Sequence, residues 1–165
     1  MSLTPQLVLF EEDHTKIVAV SKRLVSDANA KAVFLVDKNG QMVAEAGELV
    51  GIDTTSLASL VAGNIAATGG LAKIIGENEF PVHFHQGERD NVHITLVAQR
   101  IILVVVFDDR SSLGLVRLRV KKAGQKLAEL FEDLFKKAES ELSDEGPGSP
   151  FAEITDDDID NLFSD

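Results

Sequence analysis

The sequence predicts an α/β fold of order αββαβββα, a single mainly antiparallel five-stranded sheet with helices on both faces. Three observations carry this reading. The runs "AVFLV" at Ala32–Val36 and "IILVVVF" at Ile101–Phe107 have no polar break, as in strands covered on both faces. Three longer stretches repeat apolar residues at helical spacing. Turn residues separate the remaining segments.

The first helix spans Glu11 to Asp27. Ile17, Val20 and Leu24 form its stripe, and Lys16, Lys22 and Arg23 fill other faces. Leu7 and Phe10 fit the same stripe and extend it toward Pro5. A hairpin follows, with Asp37-Lys38-Asn39-Gly40 as the turn, where Asn-Gly supplies positive φ. Its second strand, Gln41 to Ala46, is mixed in polarity. Asp53 or Thr54 caps a long helix that runs to about Ile75. Leu57, Val61, Ile65, Leu71 and Ile75 make its apolar stripe. Pro81 to Gln86, Asn91 to Ala98 and Arg100 to Phe107 are strands. Ser111 or Ser112 caps a last helix to about Glu141, with Leu113, Val116, Val120, Ala123, Leu127, Leu130 and Leu134 along one side. The two apolar strands belong at the centre and the polar ones, "QMVAEA" and "VHFHQ", at the edges. The resulting strand order is 2-1-5-4-3.

Residues 1–142 form one domain, 143–150 ("SDEGPGSP") a flexible linker, and 151–165 an acidic tail. The 165 residues are 44% hydrophobic, enough to bury a core, and carry a net charge of −11. That charge is uneven. From Ser143 onward there are eight acids and no base, whereas the body is near neutral. Nucleic acid is a poor partner for such a chain. There is no cysteine, so neither disulfides nor thiolate metal sites are available. The N-terminus has no basic segment before an apolar run, so no signal peptide is expected. No apolar stretch approaches the roughly 20 residues that a membrane span needs, and a cytoplasmic protein is the default.

Motifs for chemistry are sparse. His83, His85 and His93 could meet at a metal, but an exposed polar strand face explains them better. No metal site or cofactor is assigned. Asp108-Asp109 could bind a cation, yet a helix-capping turn is favoured. No phosphate-binding glycine loop and no nucleophile motif is present. The long middle helix is more informative. Ala58, Ala62, Ala66 and Gly70 sit four apart, with Gly63 and Gly69 beside them. Each glycine costs up to about 1 kcal/mol relative to alanine in a helix. A face on which another backbone must approach closely gives that cost a purpose, and an interface is favoured over a solvated alanine face.

The order αββαβββα, the hairpin "VFLVDKNGQMV", the helix "DTTSLASLVAGNIAATGGLAKIIGENEFP" and the stretch "VVVFDDRSSLGLVRLRVKKA" resemble the Roadblock/dynein light-chain family. "NIAATGGLAKIIGENEF" and "SPFAEITDDDIDNLF" resemble its bacterial members that regulate a small Ras-like GTPase in cell polarity and gliding motility. The resemblance implies a homodimer, with sheets joined edge to edge and second helices side by side as a platform. It implies two copies of the chain per GTPase and acceleration of GTP hydrolysis. Ala66 and Gly70 match positions that meet the GTPase; Ala62, Gly69 and Lys73 extend that set by geometry. Lys16 and Lys122 match further basic positions. Arg89, Arg100 and Arg110 lie in turns from which an arginine finger could reach. The resemblance implies none, so that the chain reorders the GTPase's own switch residues and is not itself an enzyme. It also implies a cytoplasmic location, at a cell pole. A dimeric scaffold without effect on hydrolysis is the alternative; an acidic metal-binding protein is a third reading.

The tail carries Phe151, Ile154, Ile159, Leu162 and Phe163 among its acids. Thr155 is placed as an N-cap, with Asp156, Asp157 and Asp158 in the first turn, where a helix favours negative charge. Ile154 and Ile159 stand at the staple positions, and Ile159, Leu162 and Phe163 share one face. So short a helix is marginal alone. The expectation is a segment that folds on docking to the GTPase, away from the platform, with Phe151 as an upstream anchor.

Overall fold

The computed structural model describes residues 11–144. In chain order these form α1 (Glu11–Asp27), β1 (Ala32–Asp37), β2 (Met42–Gly47), α2 (Thr54–Ile74), β3 (Val82–Gln86), β4 (Asn91–Val97), β5 (Ile101–Phe107) and α3 (Leu113–Asp144). The chain divides into two compact units. Residues 9–132 hold the sheet, α1, α2 and α3 as far as Glu132; the described part of the other unit is the helical stretch 133–144.

The sheet has five strands in the order β2-β1-β5-β4-β3, with every neighbouring pair antiparallel, as the sequence predicts. All six residues of β1 are buried, and six of the seven in β5. Strand alternation divides their side chains between two faces. Ala32, Phe34 and Val36 pack with Ile102, Val104 and Ile94 beneath Ala58, Val61 and Ile65 of α2. Val33, Leu35, Leu103 and Val105 point the other way and are equally buried. There the helices α1 and α3 supply Ile17, Leu24, Val116, Val120, Leu127 and Phe131, all buried. Phe34, paired with Val104, is fully buried at the centre. Phe34→Ala is expected to cost about 3–5 kcal/mol. Urea unfolding at fixed protein concentration measures it.

Three local expectations need correction. Among non-glycine residues, Asn39 does not have positive φ; only Gly40 of that turn does, at 91°. The turn closes through Gly40 N–H donating to the Asp37 carbonyl (2.8 Å), and the Asp37 carboxylate accepts from Asn39 N–H (2.7 Å). The register shift between Leu35 and Val36 absorbs the extra residue. Leu71 and Ile75 do not belong to the core stripe of α2; they are 53% and 61% exposed. Ala72 takes the buried place, because seven residues from Ile65 complete nearly two helical turns and six do not. Finally, α2 is long and apolar enough, by length and composition, to cross a membrane. It instead lies on the sheet through Ala58, Val61, Ile65 and Ala72, and much of its apolar character lies on its outer side.

Candidate functional site

Helix α2 begins at Asp53, whose carboxylate accepts from Ser56 N–H (3.1 Å) and Ser56 O–H (2.7 Å). Those bonds hold its pKa below the usual carboxylate value. The helix ends at Ile75, followed by Gly76 at φ 84°, with Glu77 N–H returning to the Ala72 carbonyl (2.9 Å). This left-handed closure is a common helix stop.

Between these ends α2 presents three faces. Each residue advances about 100° around the axis, so a four-residue step overshoots a full turn by about 40°. The row Ala58, Ala62, Ala66, Gly70 therefore winds from core to solvent. Ala58 is 1% exposed and belongs to the core, which removes it from the predicted interface row. Ala62 is half-buried, and Ala66 and Gly70 are exposed. On one flank, Ala62, Ala66, Gly69, Gly70 and Lys73 line a single shallow groove of about 410 Å³. All five predicted docking residues thus come together. On the other flank, Leu60, Leu71, Ile74 and Ile75 are 73, 53, 83 and 61% exposed.

The groove has members that sequence spacing did not give. Lys38 of the β1–β2 turn and Asn78 and Glu79 beyond α2 complete its wall. Lys38 is held by its N–H, which donates to the Arg100 carbonyl (3.0 Å), and by its Nζ, 3.2 Å from Glu79 Oε1. Gly40 is favoured in this turn by its φ of 91°; an added Cβ would only make ordinary contact with α2, 3.5 Å from Ser59 Cα. The only signal for these residues is the turn composition, which locates a loop but not the helix it meets. At Gly63, Gly69 and Gly70 an added Cβ would meet nothing within 4 Å. Nothing within the described chain requires glycine there.

The other candidates are dispersed. Antiparallel register sets His93 opposite Phe84, whereas His83 and His85 face Ile94 and Val92. His93 consequently lies on the opposite face from the other two, and no group of metal-ligating side chains forms among the described residues. His93 is also buried, at 2% exposed, which corrects its placement on an exposed polar face. Burial, with a contribution from Arg117, lowers its pKa and keeps it neutral. Asp108 accepts from Arg110 through the backbone N–H (3.1 Å) and Nε (3.0 Å), which lowers its pKa. Arg110 also binds Glu48 (3.0 Å), so it braces two loops and is not a free finger. Its pKa is raised by the same partners. Ser112 Oγ accepts from Leu115 N–H (3.2 Å) and caps α3, in keeping with the capping reading of this turn.

Lys16 and Lys122 meet across a second groove, of about 600 Å³, between α1 and α3. Val20, Ala123 and Leu130 contribute apolar surface to it above the buried Leu24, and Arg23, Arg119 and Lys126 add charge. The predicted tail residues Phe151, Ile154, Ile159, Leu162 and Phe163 lie outside the described residues.

Comparison with known proteins adds the following. The Roadblock/LC7 domain matches residues 16–107. MglB of Myxococcus xanthus is 63% identical, with a TM-score of 0.74 over 77% of this chain and 96% of that one. The gliding protein MglB of Thermus thermophilus is 36% identical, with a TM-score of 0.73 over 78% of this chain and 98% of that one. An MglB with a tetrameric arrangement is 35% identical, with a TM-score of 0.74 over 79% of this chain and 98% of that one. No curated protein sequence matches the chain.

Proposed function

The chain belongs to the Roadblock/LC7 domain family, and from that premise we propose that it regulates a small Ras-like GTPase of the MglA type in bacterial polarity and gliding motility. In this reading two copies of the chain form a homodimer and engage one GTPase across the α2 helices. They accelerate GTP hydrolysis by reordering the GTPase's own switch residues and supply no catalytic residue. The observation that carries the reading is the small-residue groove of Ala62, Ala66, Gly69, Gly70 and Lys73, in which no glycine is needed by the chain itself. A close-approaching partner backbone supplies the missing reason. The likeness to MglB over most of the chain supports the choice of partner, and the tetrameric MglB supports self-association. The second edge of the sheet, β3, is paired on one side only and exposed. Such an edge favours pairing with another strand.

The deciding experiment is single-turnover hydrolysis by the GTP-loaded partner GTPase, with and without the chain. A dimeric scaffold would bind and leave the rate unchanged. For the C-terminal residues, the reading keeps a linker from the expected 143–150, shortened to 145–150 because Ser143 and Asp144 belong to α3, and a docking segment at 151–165 that tunes affinity or nucleotide release. Deleting Ser149–Asp165 is expected to leave activation through α2 in place and to alter affinity or release. If binding, release and stimulated hydrolysis all keep wild-type values, the segment does not act on the GTPase. The reading also puts the protein in the cytoplasm at a cell pole, which a fluorescent fusion in motile cells would reveal.

A further inference from the structure

The groove between α1 and α3 has no part in the reading above. It carries five bases, Lys16, Arg23, Arg119, Lys122 and Lys126, against one acid, Asp27, in a chain whose net charge is −11. Arg23 already pairs with Asp27 (3.4 Å) and Lys16 approaches Glu12 (3.8 Å). Arg119, Lys122 and Lys126 form no ion pair with another described residue. The Arg119 Nε is also buried without a hydrogen-bond partner among the described residues. A buried N–H left in that state is costly, and an acceptor brought into the groove would satisfy it. Beside these bases lies apolar surface from Val20, Ala123 and Leu130. The groove therefore suits a ligand that is acidic and apolar together.

The chain itself contains such a ligand. Residues 149–165 carry six acids, no base and five large apolar residues, Phe151, Ile154, Ile159, Leu162 and Phe163. We propose that the α1–α3 groove is the resting site of this C-terminal segment, with its carboxylates on Arg119, Lys122 and Lys126 and its apolar side chains on Val20, Ala123 and Leu130. Residues 145–150, which join the end of α3 to Phe151, tether the segment, and their extended reach of about 20 Å matches the about 21 Å that α3 runs beyond Leu130, so even a weak attraction gains from being intramolecular. The segment becomes available to any other acceptor only on release. The inference does not depend on GTPase binding and is tested without a GTPase.

Because the chain has no cysteine, Ser164→Cys provides a single labelling position in the full-length protein. The fluorescence anisotropy of a dye there reports whether the segment is held. High anisotropy is expected at low salt, with loss in about 1 M NaCl, where the Debye length falls to about 3 Å. Lys122→Glu with Lys126→Glu is expected to cause the same loss at low salt. Both side chains are exposed, so the fold should survive, and circular dichroism checks it. Adding Asp157→Lys and Asp158→Lys to that variant should restore anisotropy through reversed pairing. Leu162→Ala with Phe163→Ala should lose it with charge unchanged. Equal anisotropy in wild type and the Lys122→Glu/Lys126→Glu variant, with the fold intact, overturns the proposal. So does failure of the reversed pairing to restore it.

Discussion

Replacing Ala66 or Gly70 with arginine is expected to bring GTP hydrolysis back to the GTPase's unassisted rate. Both residues are exposed, so neither change disturbs the core, and an added side chain at Gly70 meets no neighbour in the chain. Arginine is also a good helix former, so α2 tolerates it. The loss should fall entirely on docking. A partner backbone seated against the groove would have to bury an unpaired guanidinium or move away. A penalty of only about 3 kcal/mol lowers affinity by more than a hundredfold. Single-turnover hydrolysis at micromolar protein, together with unchanged thermal unfolding, provides the check. Stimulation at the wild-type level by Gly70→Arg would place docking on another surface.

The second large effect is expected from Leu71→Glu combined with Ile74→Glu. These side chains lie on the flank of α2 opposite the groove and are 53% and 83% exposed in the single chain. An apolar flank of this kind stays exposed at a cost. Complete burial of one such side chain is worth about 1.5–3 kcal/mol. In a symmetric dimer each loss counts twice, and four carboxylates would then crowd one interface. The dissociation constant should rise by more than about a thousandfold, the equivalent of about 4 kcal/mol. Light scattering at micromolar concentration should find a dimer for wild type and a monomer for the variant, which should also fail to stimulate hydrolysis. A wild-type monomer would count against both the assembly and the function.

What could be read from the sequence follows from how local each signal is. The unbroken runs of β1 and β5 require cover on both sides, which centres them, and the polar β2 and β3 at the edges then order the sheet. The small row on α2 was legible because alanine and glycine at four-residue spacing are conspicuous. Its phase was not. Ala58 and Gly70 share the row but lie at different angles to the sheet, and only the sheet determines which of them is buried. Leu71 illustrates the same limit, since hydrophobicity nominated it for the core and helical phase gave the place to Ala72. His93 was misjudged because α3, distant in sequence, covers its face of β4. The wall of the groove at Lys38 and Glu79 depends on the approach of a turn to a helix, which no spacing rule encodes. The basic groove was visible only as the isolated residues Lys16 and Lys122. Its other bases became a cluster once α1 and α3 were side by side.

The winding of Ala58, Ala62, Ala66 and Gly70 around α2 means that small size is enforced at the two ends of the row by different agents. At Ala58 the limit is internal. A bulkier residue would press on the strands and overpack the core, typically by about 1–3 kcal/mol. At Gly70 an added Cβ meets nothing in the described chain, and Ala66 is exposed, so a limit on size at either comes from a partner. A saturation-mutagenesis library sorted for folded protein would thus reject large residues at 58 and accept them at 66 and 70. The same library sorted for activity would reject them at all three. Subtracting one tolerance map from the other would outline the partner's footprint on α2 without a structure of the complex.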